Sequence, residues 1–257
     1  MFENRVKQRI SEGRAAWGVS IPDASEFVTK LTVGCDIDFL WIDLEHRPYG
    51  PQEVRWLPIL CRQAGCAPMI RVPGLDSIWI KKALDIGANT IMVPQINTPD
   101  EAKRAVEFAK YPPAGSRGIS PMWTAMMDVS WDDYLPAAND ETCVVVQIET
   151  PLGIENLDAI AAVEGVDVVF AGPADLSASL GIIGQFRHPK LKQFLAEFPK
   201  QIAAQGKPAG ITFSTLEDCQ RSYEQGYRFI NIGTLVHYGI DGLKAGLSQL
   251  RGQERKA

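Results

Sequence analysis

The stretch from Val144 to Gly181 reads V-V-V-Q-I-E-T-P-L-G-I-E-N-L-D-A-I-A-A-V-E-G-V-D-V-V-F-A-G-P-A-D-L-S-A-S-L-G. It opens on a β-branched apolar run and breaks at Thr150-Pro151, a cap residue followed by proline at the first helical position. The helical pattern closes at Gly165, and a second apolar run, Val168 to Ala171, breaks at Gly172-Pro173. Strand, helix and strand in that order make a βαβ unit whose strands run parallel. Each strand is followed by an acid, Glu149 after the first and Asp175 after the second, so both carboxylates emerge on one rim of the sheet. Two carboxylates on one rim suit a divalent cation. An acid after a strand also serves as a cap for the next helix, and Asp175 ahead of Leu176-Ser177-Ala178 fits that role as well.

The same unit repeats along the chain. Strands are expected at 16–20, 39–42, around Met69-Ile70, at 90–93, in the two runs above, at 209–213 and at 229–232. Between them lie helical patterns with their own punctuation: Ser25 to Gly34, Pro51 to Gly65, Asp76 to Gly87, and one opening at Thr98-Pro99-Asp100-Glu101. Eight parallel strands separated by helices predict a single (β/α)8 barrel over residues 1–257, the usual length for one such domain. Residues 111–139, with Pro112-Pro113, Gly115, Gly118, Pro121 and Pro136, are too long for an ordinary connection. They are expected either to cover apolar surface or to reach over a rim or a neighbouring subunit.

Composition narrows the partners. The chain has 26 basic against 31 acidic residues, a net charge of −5, with no basic stripe for nucleic acid and no polybasic tail for a membrane. Five cysteines, odd in number and without C-x-x-C, read as core thiols in a reducing compartment, the cytoplasm. The first ten residues are charged and lack the apolar core of a secretory signal. The final pattern, with Ile240, Leu243, Leu247 and Leu250 at near-helical spacing, needs a partner surface on its own barrel or on another subunit.

In a barrel of this kind the chemistry sits at the carboxyl ends of the strands. Those positions hold Asp43, Glu45, His46, Arg71, Gln95, Gln147, Glu149, Asp175 and Thr212. Singly each has an ordinary structural reading: a cap for Asp43 or Glu45, a surface histidine for His46, a rim ion pair for Arg71, a satisfied amide for Gln147. Their convergence favours a site. No lysine falls on a strand end, and Lys207 precedes its strand at the opposite end of the barrel, which disfavours Schiff-base chemistry.

The segments W-I-D-L-E-H, P-M-I-R-V-P, A-L-D-I-G-A, V-P-Q-I-N-T-P-D-E-A, Y-P-P-A-G-S-R-G, V-V-Q-I-E-T and V-E-G-V-D-V-V-F-A-G-P-A-D-L-S resemble the metal-dependent class II pyruvate aldolases of the HpcH/HpaI type. These include 4-hydroxy-2-oxoheptanedioate and 2-dehydro-3-deoxyglucarate aldolases, and the resemblance runs in register from Trp17 to Gly233. It implies a barrel of the phosphoenolpyruvate/pyruvate type that cleaves a 4-hydroxy-2-oxo acid to pyruvate and an aldehyde through a metal-stabilised enolate. By position, Glu149 and Asp175 would ligate Mg2+, Mn2+ or Co2+, and His46 would be the acid/base, oriented by Asp43 and Asp85. Arg71 would contact the keto oxygen. Gln147 and Thr212 would line the substrate pocket, and the Gly172, Pro173, Ala174 and Asp175 turn would receive the pyruvate carboxylate. A homo-oligomer, a hexamer or trimer whose last helix packs on a neighbour, is also implied.

Three departures stand out. Leu44 occupies a position usually held by glycine, and Ser120 ends a motif that usually ends in glycine. Pro121-Met122-Trp123 and Met126-Met127 replace a smaller, arginine-bearing stretch, which predicts an acceptor pocket suited to an apolar or aromatic aldehyde. Two alternatives to aldol cleavage remain: oxaloacetate decarboxylation or a related synthase reaction at the same site, and a non-catalytic barrel that binds a 2-oxo acid.

Overall fold

The computed structural model describes residues 3–254. Eight parallel strands close into a barrel in chain order: β1 (Ala16–Ser20), β2 (Phe39–Asp43), β3 (Ala67–Arg71), β4 (Thr90–Val93), β5 (Cys143–Ile148), β6 (Val168–Ala171), β7 (Ala209–Thr212) and β8 (Phe229–Thr234). Helix α1 (Arg5–Ser11) precedes them and sends Val6 into the barrel's lower interior, beside Phe39, Phe170 and Phe229. Helices α2 (Glu26–Val33), α3 (Pro51–Val54), α4 (Leu57–Gln63), α5 (Ser77–Asp85) and α6 (Pro99–Ala109) follow the first four strands. The pattern expected as one helix from Pro51 to Gly65 is two, because Pro58 has no N–H to continue the ladder.

Alternation along the strands sorts the side chains. Leu40, Ile42, Ile70, Ile91, Val144 and Val146 face the helices, whereas Phe39, Trp41, Met69, Met92, Val145 and Phe170 fill the barrel. Gly18 and Gly210 make room for that filling, since a Cβ on either would lie inside the ring of Phe39 or Phe170, at 2.1 and 2.6 Å. At the carboxyl ends the inward positions turn polar: Ser20, Asp43, Arg71, Gln147, Thr212 and Asn231 share the parity of the apolar residues below them. The core therefore ends where the cavity begins.

Residues 111–139 are not a long loop. They form a strap and two helices, α7 (Met122–Met126) and the first part of α8 (Trp131–Glu141). Trp123 is fully buried, packed edge-on against Tyr134 and against the Arg62 guanidinium, with Gly87 and Pro58 close by. Arg62, in the last turn of α4, and Gly87, ahead of β4, lie where helices end and strands begin, at the face opposite the strand carboxyl ends. Within the chain this segment therefore does not line the mouth, and Met122 to Met127 build no acceptor pocket with their own barrel.

Helices α9 (Pro151–Glu155), α10 (Leu157–Ala161), α11 (Pro173–Ser179), α12 (Pro189–Ala204) and α13 (Leu216–Gln225) complete the layer. The last helix, α14 (Leu235–Glu254), does not fold back onto its own barrel, and every residue from Gly239 to Gly252 is exposed. No helix among the described residues is long and apolar enough to cross a membrane. All five cysteines are free, four of them buried.

Candidate active site

A cavity of about 350 Å3 opens at the strand carboxyl ends, and its lining includes Ser20, Trp41, Asp43, His46, Arg47, Arg71, Gln147, Asp175, Thr212 and Asn231. The turn from Gly172 to Asp175 forms one wall.

Arg71, at the end of β3, is gripped by Asp43, its register partner on β2. The Arg71 Nε and Nη2 donate to Asp43 Oδ1 and Oδ2 at 2.9 and 2.7 Å, and the guanidinium lies 4.8 Å from the Trp41 ring centroid. Asp43 Oδ1 also accepts the backbone N–H groups of Glu45 and His46, at 3.1 and 3.4 Å. Burial raises the Asp43 carboxyl, but the Arg71 hydrogen bonds outweigh it and hold the group below the ordinary range. Asp43 thus orients Arg71 and the turn after β2, instead of contacting the imidazole as expected. Leu44 is buried with φ outside the left-handed region, so this turn needs no glycine.

Glu45 sits between the two predicted catalytic groups. Its Oε2 lies 3.1 Å from Arg71 Nη1 and 3.3 Å from His46 Nε2. Burial raises its carboxyl despite Arg71 and His46. The His46 side chain is 55% exposed, with its ring at the cavity edge.

Glu149 lies beneath the cavity, 3% exposed. Its Oε1 accepts the Gln95 backbone N–H at 2.9 Å, and Oε2 accepts from the Gln147 amide. Gln95 adopts φ +55°, an uncommon conformation for a residue with a side chain, and this points its N–H at the carboxylate. Burial, then the charges of Asp175 and Glu45, push the Glu149 carboxyl up to about 7. Gly172 permits this packing: a Cβ there would come within 2.7 Å of both Gln147 Nε2 and Glu149 Oε2. In the same turn Gly172 spends its N–H on Ile148 O and Pro173 has none, so the N–H groups free for an incoming carboxylate are those of Ala174 and Asp175.

Within the single chain Asp85 is not brought to His46. It ends α5 at the far side of the helix layer, where Arg117 Nη2 donates to its Oδ1 at 2.8 Å. Asp85's place inside a helical pattern hid this, because a helix after a strand runs away from the mouth. Asn231, absent from the sequence-based set, lines the cavity with Oδ1 buried and unpartnered and Nδ2 on Thr212 Oγ1. Its signal was a polar residue at an inward position two beyond Phe229.

The residues fit a divalent cation. Glu45, Glu149 and Asp175 repel one another, and Gln147 Oε1 is buried without a hydrogen-bond partner. Among the described residues no three of His, Cys, Asp and Glu form a closed cage. Glu149 and Asp175 would supply two oxygen ligands and leave the remaining positions to water and a chelating substrate, as Mg2+ or Mn2+ permits.

The sequence model of the HpcH/HpaI aldolase/citrate lyase family matches residues 18–241. A hydroxypyruvate/pyruvate aldolase of Roseobacter denitrificans is 39% identical over 230 residues, covering 89% of this chain and 90% of that protein. A 5-keto-4-deoxy-D-glucarate aldolase of Salmonella paratyphi A is 36% identical over 234 residues, 91% of each. A solved structure of an HpcH/HpaI aldolase/citrate lyase family protein from Burkholderia cenocepacia superposes with a TM-score of 0.88 at 32% identity, over 96% of this chain and 99% of that one.

Proposed function

The chain belongs to the HpcH/HpaI aldolase/citrate lyase family, and on that premise we propose a carbon–carbon lyase that cleaves a 4-hydroxy-2-oxo acid to pyruvate and an aldehyde, and runs the reverse condensation. The observation that carries the site assignment is the facing of Arg71, clamped by Asp43, and the Glu149–Gln147–Gly172 cradle across one cavity.

Glu149 and Asp175 would hold a divalent ion, which would supply Lewis-acid stabilisation of the charge developing on the substrate's keto oxygen. Arg71 has five N–H groups, of which three face Asp43 and Glu45, and the remaining two are available to the same oxygen. Free N–H groups of Ala174 and Asp175 receive the carboxylate. His46 takes the C4 hydroxyl proton as the C3–C4 bond breaks; the bond's electron pair passes to the pyruvate enolate, and protonation at C3 yields pyruvate. Pyruvate-dependent carbon–carbon bond formation against an aldehyde panel, with chelator and with Mg2+, Mn2+ or Co2+ restored singly, tests this. Loss with chelator and recovery with one metal is expected. Metal binding and oxaloacetate decarboxylation without product from any aldehyde would move the assignment to a decarboxylase.

The acceptor end of the mouth is polar, with Ser20, Arg47, Thr212 and Asn231 in its lining, which suits an aldehyde bearing hydroxyl or anionic groups. The same reading includes a homo-oligomer, a trimer or hexamer in which a neighbour covers the exposed Ile240, Leu243, Leu247 and Leu250 of α14, and a cytoplasmic location, which the free thiols suit.

A further inference from the structure

We propose that Asn231 is a specificity-determining residue: with Thr212 it forms a subsite for a hydroxyl on C5 of the substrate, the carbon next to the one that becomes the aldehyde. This deepens the aldolase reading above and rests on it for which atom arrives there; the unpartnered pair itself does not.

The rim of the barrel is largely allotted. Glu149 and the turn to Asp175 follow β5 and β6, Arg71 ends β3, and His46 comes after β2. Carboxylate, keto oxygen and C4 hydroxyl all face these groups, so the atoms beyond C4 face the remaining sector, β7, β8 and β1. The cavity residues on those strands are Thr212, Asn231 and Ser20, all uncharged. Ser20 Oγ already donates to Gly233 O at 3.1 Å. Asn231 and Thr212 are register partners, and Nδ2 of the first donates to Oγ1 of the second at 2.9 Å. Asn231 is 3% exposed, yet its Oδ1 has no partner, and its register partner on β1 is Gly18, which has no side chain to offer one. The Thr212 hydroxyl, having accepted from the amide, keeps its own proton to donate. The pair thus presents one acceptor and one donor side by side, the complement of an alcohol, which gives one hydrogen bond and takes another. Turning the amide over exchanges the two roles and leaves the match intact. A buried amide oxygen left unpaired is destabilising, so the group that accepts a C5 hydroxyl also discriminates against a C5 methyl.

Cleavage of 4,5-dihydroxy-2-oxopentanoate and of 4-hydroxy-2-oxopentanoate, which differ by that one hydroxyl, tests the assignment. With Mg2+ or Mn2+ the wild type should favour the first in kcat/KM by about 10-fold or more. Asn231→Leu keeps the volume and removes the acceptor, whereas Thr212→Val keeps the shape and removes the donor. Each should reduce the preference about 10-fold, chiefly through the dihydroxy substrate. The two changes lie on different strands, so the test does not depend on the folding of either one. In the double variant Thr212→Val should add little to the effect of Asn231→Leu. An unchanged preference in both single variants overturns the proposal and leaves Asn231 holding water alone. A wild type that cleaves neither compound sinks the aldolase reading by itself, and calorimetric affinities of the two compounds then decide the subsite. Tighter binding of the dihydroxy acid, abolished in Asn231→Leu, is the result expected there, and equal affinities overturn the proposal.

Discussion

Arg71 and Asp43 meet fork to fork at the ends of adjacent strands, with two hydrogen bonds of 2.9 and 2.7 Å, and both side chains are largely out of solvent. The pair fixes the plane of the guanidinium, and with it the direction of the two N–H groups left for substrate. Lysine carries the charge without the fork. Arg71→Lys is therefore expected to lower kcat for pyruvate release about 100-fold or more, and Asp43→Asn to lower it by a smaller factor while loosening the turn that carries His46. A pyruvate-coupled assay of both variants checks this. Wild-type kcat in Arg71→Lys would remove the geometric role.

Gly172 packs against Gln147 and Glu149 with no room to spare, and its φ of −96° is ordinary, so only space forbids a side chain. Gly172→Ala forces Gln147 and Glu149 to move. A displacement near 1 Å at reacting groups costs about 100-fold in rate, whereas overpacking costs about 1–3 kcal/mol of stability. The variant should stay folded by circular dichroism yet lose most of its turnover.

Binding of a divalent ion by the proposed Glu149 and Asp175 pair should have a measurable effect on stability. At 100 times its dissociation constant a bound ion stabilises the fold by about 2.7 kcal/mol, a rise of several degrees in Tm for a domain of this size. Mg2+ or Mn2+ should raise Tm in the wild type and not in Glu149→Gln or Asp175→Asn. An equal rise in all three proteins would place the ion elsewhere.

The barrel was legible because each βαβ unit carries its own punctuation, and the strand-end positions Asp43, His46, Arg71, Gln147, Asp175 and Thr212 do line one cavity. Parity explains this for Asp43, Arg71, Gln147 and Thr212, since an inward residue at the top of a strand has nowhere else to point, whereas His46 and Asp175 follow their strands in the turns at the same rim. What failed depended on tertiary contacts. Asp85 reads like any helical acid until Arg117, 32 residues away, is seen against it. The Met122 to Met127 segment reads as a loop because its apolar residues satisfy the lower face of the barrel, not a local period. Glu45 stood among the candidate positions, but its contacts with Arg71 and His46 are set by a turn, and turns carry no repeating pattern.

Away from the site, Glu141 is a second buried carboxylate with incomplete partners. Arg62 Nη1 lies 3.5 Å from its Oε2, Oε1 is unpartnered, and both side chains are almost fully buried. Burial pushes the Glu141 carboxyl up to about 7 against the pull of Arg62. The folded state thus holds a proton that the unfolded chain releases near 4.5. This contribution to stability is fully present below pH 4.5 and is lost as pH rises to about 7. At about 1.4 kcal/mol per tenfold change in proton affinity, it is on the order of 3 kcal/mol. Glu141→Gln keeps the shape and removes the titration, so its stability should depend less steeply on pH across that window. Denaturant unfolding of both proteins at pH 5, 6, 7 and 8 measures the difference, and parallel pH profiles would show that the Arg62 pair already holds Glu141 ionised throughout.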